Sequence, residues 1–211
     1  MDIGTVKVLC LIAFAGHIIC GITDFMMSYS KGRRFSFADI KDPARMDEAF
    51  SHMPLKQLEL SMLLGAVSLF MAGLGYAAIS SWACGYSSVW GLVGFISAMF
   101  FIVLITAHHI LCAAPLWFYV KLQRTDEALE AATEFFNRTV IASIAYIGLI
   151  AFDIILLVMI ASGKTGLPKI SCLVNSLPVF VLLAPTKLPA KGNIANSIMF
   201  IGLFILLSIY C

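Results

Sequence analysis

The stretch Val6–Tyr29, VKVLCLIAFAGHIICGITDFMMSY, decides the fold class. Apart from Lys7 at its start, its charged or imidazole side chains are only His17 and Asp24. It exceeds the roughly 20 apolar residues that a helix needs to cross a hydrocarbon core of about 30 Å. A charge in hydrocarbon costs about 3 kcal/mol or more, so Asp24 is expected to face other helices and to mark a pathway or site. Thr139–Ala161, TVIASIAYIGLIAFDIILLVMIA, repeats the pattern around a second isolated carboxylate, Asp153.

Outward from these two stretches, further apolar spans run near Gln57 to Ile79, Val89 to Val120, Lys169 to Thr186 and Asn193 to Tyr210. The predicted fold is all-α, a polytopic integral membrane bundle of six transmembrane helices forming a single domain over residues 1–211. The fifth span is short and holds Pro178 and Pro185, which fits a kinked helix or a re-entrant segment buried in protein. The third is too long for the core at about 1.5 Å per residue, so it is expected to tilt, bend or continue beyond the membrane near Pro115. The first span has no basic region before it and is too long for a signal peptide, so it is read as a retained helix.

Composition supports this class. Of 211 residues 61% are hydrophobic and 12% charged, against about a quarter charged in soluble domains. Net charge is only +2 and the basic residues are scattered, so nucleic acid is not expected as a partner. The six cysteines form no Cys-x-x-Cys and read as small hydrophobes in helix packing.

Orientation follows from Lys and Arg. Eleven fall in the segments joined to the inner ends of the spans and three (Lys7, Lys164, Lys169) on the other side, which places both termini on the non-cytoplasmic side. Trp82, Tyr86 and Trp90, with Trp117 and Tyr119, read as two interfacial belts. Within the cytoplasmic segment 30–56, Asp42-Pro43 begins a helix whose apolar positions Ala44, Met46, Phe50 and Met53 suit either the bilayer surface or an ordinary connection. The run TDEALEAATEFF from Thr125 predicts that the fourth helix starts in the cytoplasm.

Candidate site residues come from faces and depth. Ala13, His17, Gly21 and Asp24 share one face of the first span, with Cys20 beside them. In the third span His109 shares a face with Gly91, Ala98 and Ile102, whereas His108 points about 100° away. Ala142, Tyr146 and Asp153 line one face of the fourth span; Asn175, Asn196 and Glu59 add polar groups from the others. Counting from span ends puts His17, Asn175 and Asp153 near mid-membrane, with Asp24, His109, Asn196 and Glu59 in the cytoplasmic half. The predicted ligand-binding or proton-exchanging set is therefore His17, Asp24, His109, Asp153, Tyr146 and Asn175.

Convergence of these faces would enclose a polar cavity open to the cytoplasm. The favoured reading is a transporter or binding protein for a small molecule or ion, with proton or cation exchange at His17 and Asp153. The alternative is an intramembrane enzyme acting on a lipid-like substrate by His/Asp acid-base or metal-assisted chemistry, and the plainest is a structural subunit. The expected partners are the lipid bilayer, a small-molecule, ion or lipid ligand, and a second copy of the chain, since no 3+3 repeat is visible and a homodimer would supply the symmetry.

Membrane hydrolases of the alkaline ceramidase and adiponectin-receptor type hold zinc with three histidines. This chain has no His-x-x-x-His on its last span, and adjacent His108 and His109 cannot both face one metal from a regular helix. No metal set and no cofactor is assigned. Gly163-Lys164-Thr165 lacks the first glycine of a phosphate loop, Gly85-Tyr86-Ser87-Ser88 lacks the second glycine of an intramembrane protease motif, and the sequon at Asn137 falls on the cytoplasmic side.

Overall fold

A computed structural model describes residues 1–31 and 33–211. Its eight α-helices are α1 (Ile3–Ser28), α2 (Pro43–Phe50), α3 (Leu55–Cys84), α4 (Ser88–Lys121), α5 (Asp126–Thr139), α6 (Ala145–Ala161), α7 (Ser176–Leu183) and α8 (Lys191–Tyr210). Five helical segments are long and apolar enough to cross a membrane: α1, α3, α4, the continuous run Asp126–Ala161 and α8. They carry exposed Val8, Ile18, Leu63, Phe70, Val103 and Ile147 on their outer faces, a surface that only lipid satisfies. This is an all-α membrane protein.

Small residues set the helix spacing. Gly16 lies so close to α3 that a Cβ there would stand 2.6 Å from the Ser68 carbonyl oxygen, and one at Gly148 would stand 2.5 Å from that of Ser97 on α4. Backbones approach this closely only where side chains are absent. The pairs α1 with α3, α3 with α4, α1 with α8 and α4 with α6 make the main interfaces. At their centre Tyr76 is fully buried, its ring edge-on to Phe152 and Phe200 at 5.0 Å and Phe101 at 5.7 Å.

The fifth span is where the helix gives way. A 3-10 stretch, Lys169–Val174, precedes the eight residues of α7, together about 24 Å of rise. The break exposes backbone donors, and Asn175 meets them: its Oδ1 accepts from Leu177 N at 3.0 Å while its Nδ2 donates to the Asp153 carbonyl at 3.1 Å. The Ser176 hydroxyl donates to Asp153 Oδ2. Asp153 and Asn175 thus support a broken helix from α6. Asn175→Ala removes both bonds in a buried place, and unfolding in detergent is expected to show a loss of about 2 kcal/mol; an unchanged melting temperature would contradict the capping role.

Both chain ends lie at one end of the bundle, with the Met1 amine 3.5 Å from Ser81 Oγ and Cys211 beside Gly166. The other end carries a cap built from two short strands, β1 (Tyr29–Ser30) and β2 (Arg33–Arg34), a 3-10 turn (Phe37–Lys41), α2 and α5. The apolar face of α2 offered by the sequence to the bilayer surface is turned inward here. Met46 and Phe50 are fully buried in a core of their own with Leu116, Tyr119 and Leu129. That core needs the cap-side length of α4, which at 34 residues runs about 50 Å and passes through Pro115 without ending. Tyr119 is consequently inside the cap, edge-on to Phe50 at 6.0 Å, rather than in an interfacial belt. Arg124 ties the α4–α5 turn to α2 through Asp47 at 2.8 Å.

Candidate functional site: a polar cavity at the cap end of the bundle

The residues Gly16-His17 to Asp24 of α1 give one helical face of small and polar groups, and α4 and α8 close on it. Between them lies a cavity of about 280 Å³ whose walls include His17, Cys20, Asp24, His108, His109, Tyr146, Asn193 and Asn196. Four of the six residues singled out from the sequence, His17, Asp24, His109 and Tyr146, line it. Tyr146 reaches it from α6 with a side that is otherwise half exposed. Asp153 and Asn175 do not line it: they are buried between α6 and α7, as described above. Glu59 is exposed and accepts from Trp117 Nε1 at 3.0 Å.

A line of polar contacts crosses the cavity wall. His109 Nε2 is 3.0 Å from the Ser61 carbonyl, and its Nδ1 is 3.2 Å from Asp24 Oδ1. Asn193 Nδ2 donates to Asp24 Oδ2 at 2.8 Å, and its Oδ1 accepts from His17 Nδ1 at 3.0 Å. His17 Nε2 faces the Tyr76 hydroxyl at 3.4 Å, and that hydroxyl donates to Asn196 Oδ1 at 2.7 Å. Asn196 in turn donates to the Gly192 carbonyl at 2.9 Å.

Donor and acceptor types fix most of the protons. A carbonyl only accepts, so His109 Nε2 carries hydrogen. Its Nδ1 then meets a carboxylate across a single shared proton, held as imidazolium beside carboxylate or as neutral imidazole beside carboxylic acid. Asn193 must donate to Asp24, which leaves its oxygen toward His17 and requires hydrogen on His17 Nδ1. The side chain of Asp24 is 30% exposed, on the cavity, whereas that of His109 is 5% exposed. The room for the His109 ring comes from Gly65, where a Cβ would lie 2.0 Å from Nε2.

Several residues of this site escape a reading of the sequence alone. Tyr76 is one more aromatic in an apolar span, and Asn193 falls at a predicted span boundary. Cys20 passes for a packing residue, although its spacing of four from Asp24 stacks the two on one face. His108 also reaches the cavity, with its ring 3.6 Å from Cys112 Sγ.

No curated protein and no solved structure matches the chain. A family profile covers residues 1–210, nearly the whole bundle with its cap and cavity, and the chain belongs to the family of unknown function DUF6796.

Proposed function

We propose that this chain is a membrane transporter or binding protein that takes a small molecule or ion into the cavity at the inner end of the bundle and exchanges a proton with it. The observation that carries the reading is His109 Nδ1 at 3.2 Å from Asp24 Oδ1 on the wall of a 280 Å³ cavity, linked through Asn193 to His17. Polar groups at membrane depth are retained at a cost and mark pathways. The reading includes six passes with both termini outside the cytoplasm. Two observations support it: chain ends at one end of the bundle require an even number of passes, and the segment 169–183 is long enough to supply the sixth beside the five apolar ones.

Orientation is checked by an impermeant thiol reagent on intact cells. A cysteine at Lys164 is expected to label and one at Lys41 to be shielded; the reverse would turn the cavity outward. Function is checked with protein in liposomes holding a pH-sensitive dye, under a potassium diffusion potential. Internal pH is expected to change faster than in protein-free liposomes, and His17→Ala is expected to return it to that background. Wild-type flux at background would defeat the proton-exchange reading.

One further observation favours a second reading. An apolar groove of about 310 Å³ between α1 and α8 opens to the side of the bundle and shares His17, Ala190 and Asn193 with the cavity. A lateral apolar entry to a His/Asp pair suits an intramembrane enzyme for a lipid-like substrate. Bulky Ile22→Trp, on the groove and not on the cavity, separates the two readings, since it obstructs a lipid and leaves the inner mouth alone.

A further inference from the structure

We propose that the cavity holds a divalent transition-metal ion of the zinc class on Cys20, Asp24 and His109. The inference rests on the reading of the cavity as a ligand site and names its ligand. One donor atom from each of the three residues, Sγ, a carboxylate oxygen and an imidazole nitrogen, lies within 4.8 Å of the others. At bond lengths of roughly 2.0 to 2.3 Å, tetrahedral ligands stand about 3.5 Å apart, so a contraction of about 1 Å closes them on an ion.

The surroundings are those of a metal site before its ion arrives. A ligating histidine ordinarily gives its second N–H to a carbonyl or carboxylate, which fixes the tautomer and aims the other nitrogen. His109 does this through Nε2 to Ser61, leaving Nδ1 free to ligate, 3.2 Å from Asp24 Oδ1, with Cys20 in the same cluster. Asp24 has one oxygen held by Asn193 and the other facing the cluster. Three protein donors leave the fourth position to the cavity, the arrangement of sites that exchange or activate what they bind. A thiolate with imidazole and carboxylate selects borderline ions over Mg²⁺ and Ca²⁺, which take oxygen shells.

Charge balances in the exchange. Cys20 as thiol with the His109–Asp24 pair sharing its proton is neutral overall; an M²⁺ on thiolate, carboxylate and neutral imidazole is neutral too. Two protons leave, one from sulfur and one from the pair, and no net charge is added to a buried place. His108 and Cys112, one turn apart on α4, add a second soft donor pair to the cavity wall.

Co²⁺ titrated into the metal-free full chain in detergent is the test. Binding is expected to saturate at one ion per chain with a thiolate-to-cobalt charge-transfer band, to be bleached by Zn²⁺ and to resist Mg²⁺ and Ca²⁺. Cys20→Ser loses the band, Asp24→Asn and Asn193→Ala weaken affinity by about 10- to 100-fold, and Cys84→Ser at the opposite end leaves it unchanged. Absence of the band in wild type, or its survival in Cys20→Ser, overturns the site. Proton flux in liposomes without a cobalt band would end the metal assignment and spare the cavity reading; loss of both would end the two together.

Discussion

Gly16→Ala is expected to cost about 3 kcal/mol or more of stability, enough to leave little folded protein in the membrane. The added Cβ would lie 2.6 Å from the Ser68 carbonyl oxygen and 2.9 Å from the Ala72 nitrogen. Both are backbone atoms of α3, so no rotamer change relieves the contact and α1 must back away along the most extensive interface of the fold. Gly192→Ala is the comparison: nothing lies within 4 Å of its Cβ position at the start of α8. Helix propensity makes that change neutral or stabilising by up to about 1 kcal/mol. Thermal unfolding of the two variants in one detergent decides the matter, and equal melting temperatures would mean that the α1–α3 contact is not this close.

Substitutions at Asp24 are expected to separate fold from function. In Asp24→Asn the new amide donates to His109 Nδ1 and its oxygen accepts from Asn193, so every hydrogen bond survives with a neutral imidazole and stability stays within about 1 kcal/mol of wild type. The shared proton is gone, and proton flux falls to the level of empty liposomes. In Asp24→Leu the ring nitrogen and the Asn193 amide both lose their partner, which costs about 3 kcal/mol in a site this enclosed. Flux that persists in Asp24→Asn would show that the pair carries no proton for transport, whatever its part in folding.

Much of this arrangement was legible because a helix repeats. The length of each apolar run gives the spans, and the 100° step per residue puts His109, not His108, on the face of small residues. His109 is buried with a carboxylate partner, while His108 is only partly buried, beside Cys112. Periodicity gives height along a helix and angle around it, but not which face of one helix meets which face of another. Asp153 has the right depth for the cavity and the wrong direction, toward the break before α7. The α2 segment shows the same ambiguity from another side: an amphipathic pattern announces an apolar face without saying whether lipid or protein covers it. Asn193 gains its place only from the tertiary fold, where α8 starts against Gly21 and brings an amide between two residues of α1.

The bundle and the cap bury their apolar side chains in two separate cores, one around Tyr76 and Phe200 and one around Phe50 and Leu116. The cavity lies at the seam between them. Of the described residues that line it, only Phe37 belongs to the cap, and its ring stacks on Phe136 of α5 with centroids 4.7 Å apart. The turn that meets the cavity from the cap is held by that stack, by Phe35 edge-on to Phe37 at 5.0 Å and by the Thr133 hydroxyl donating to the Ile40 carbonyl, and not by the interfaces between the spans. Loop displacements run in nanoseconds to microseconds, whereas separating packed helices draws on the stability of the whole fold. For a ligand of the kind proposed above, exchange is expected to be paced by the contacts of that one turn and not by the unfolding of the bundle.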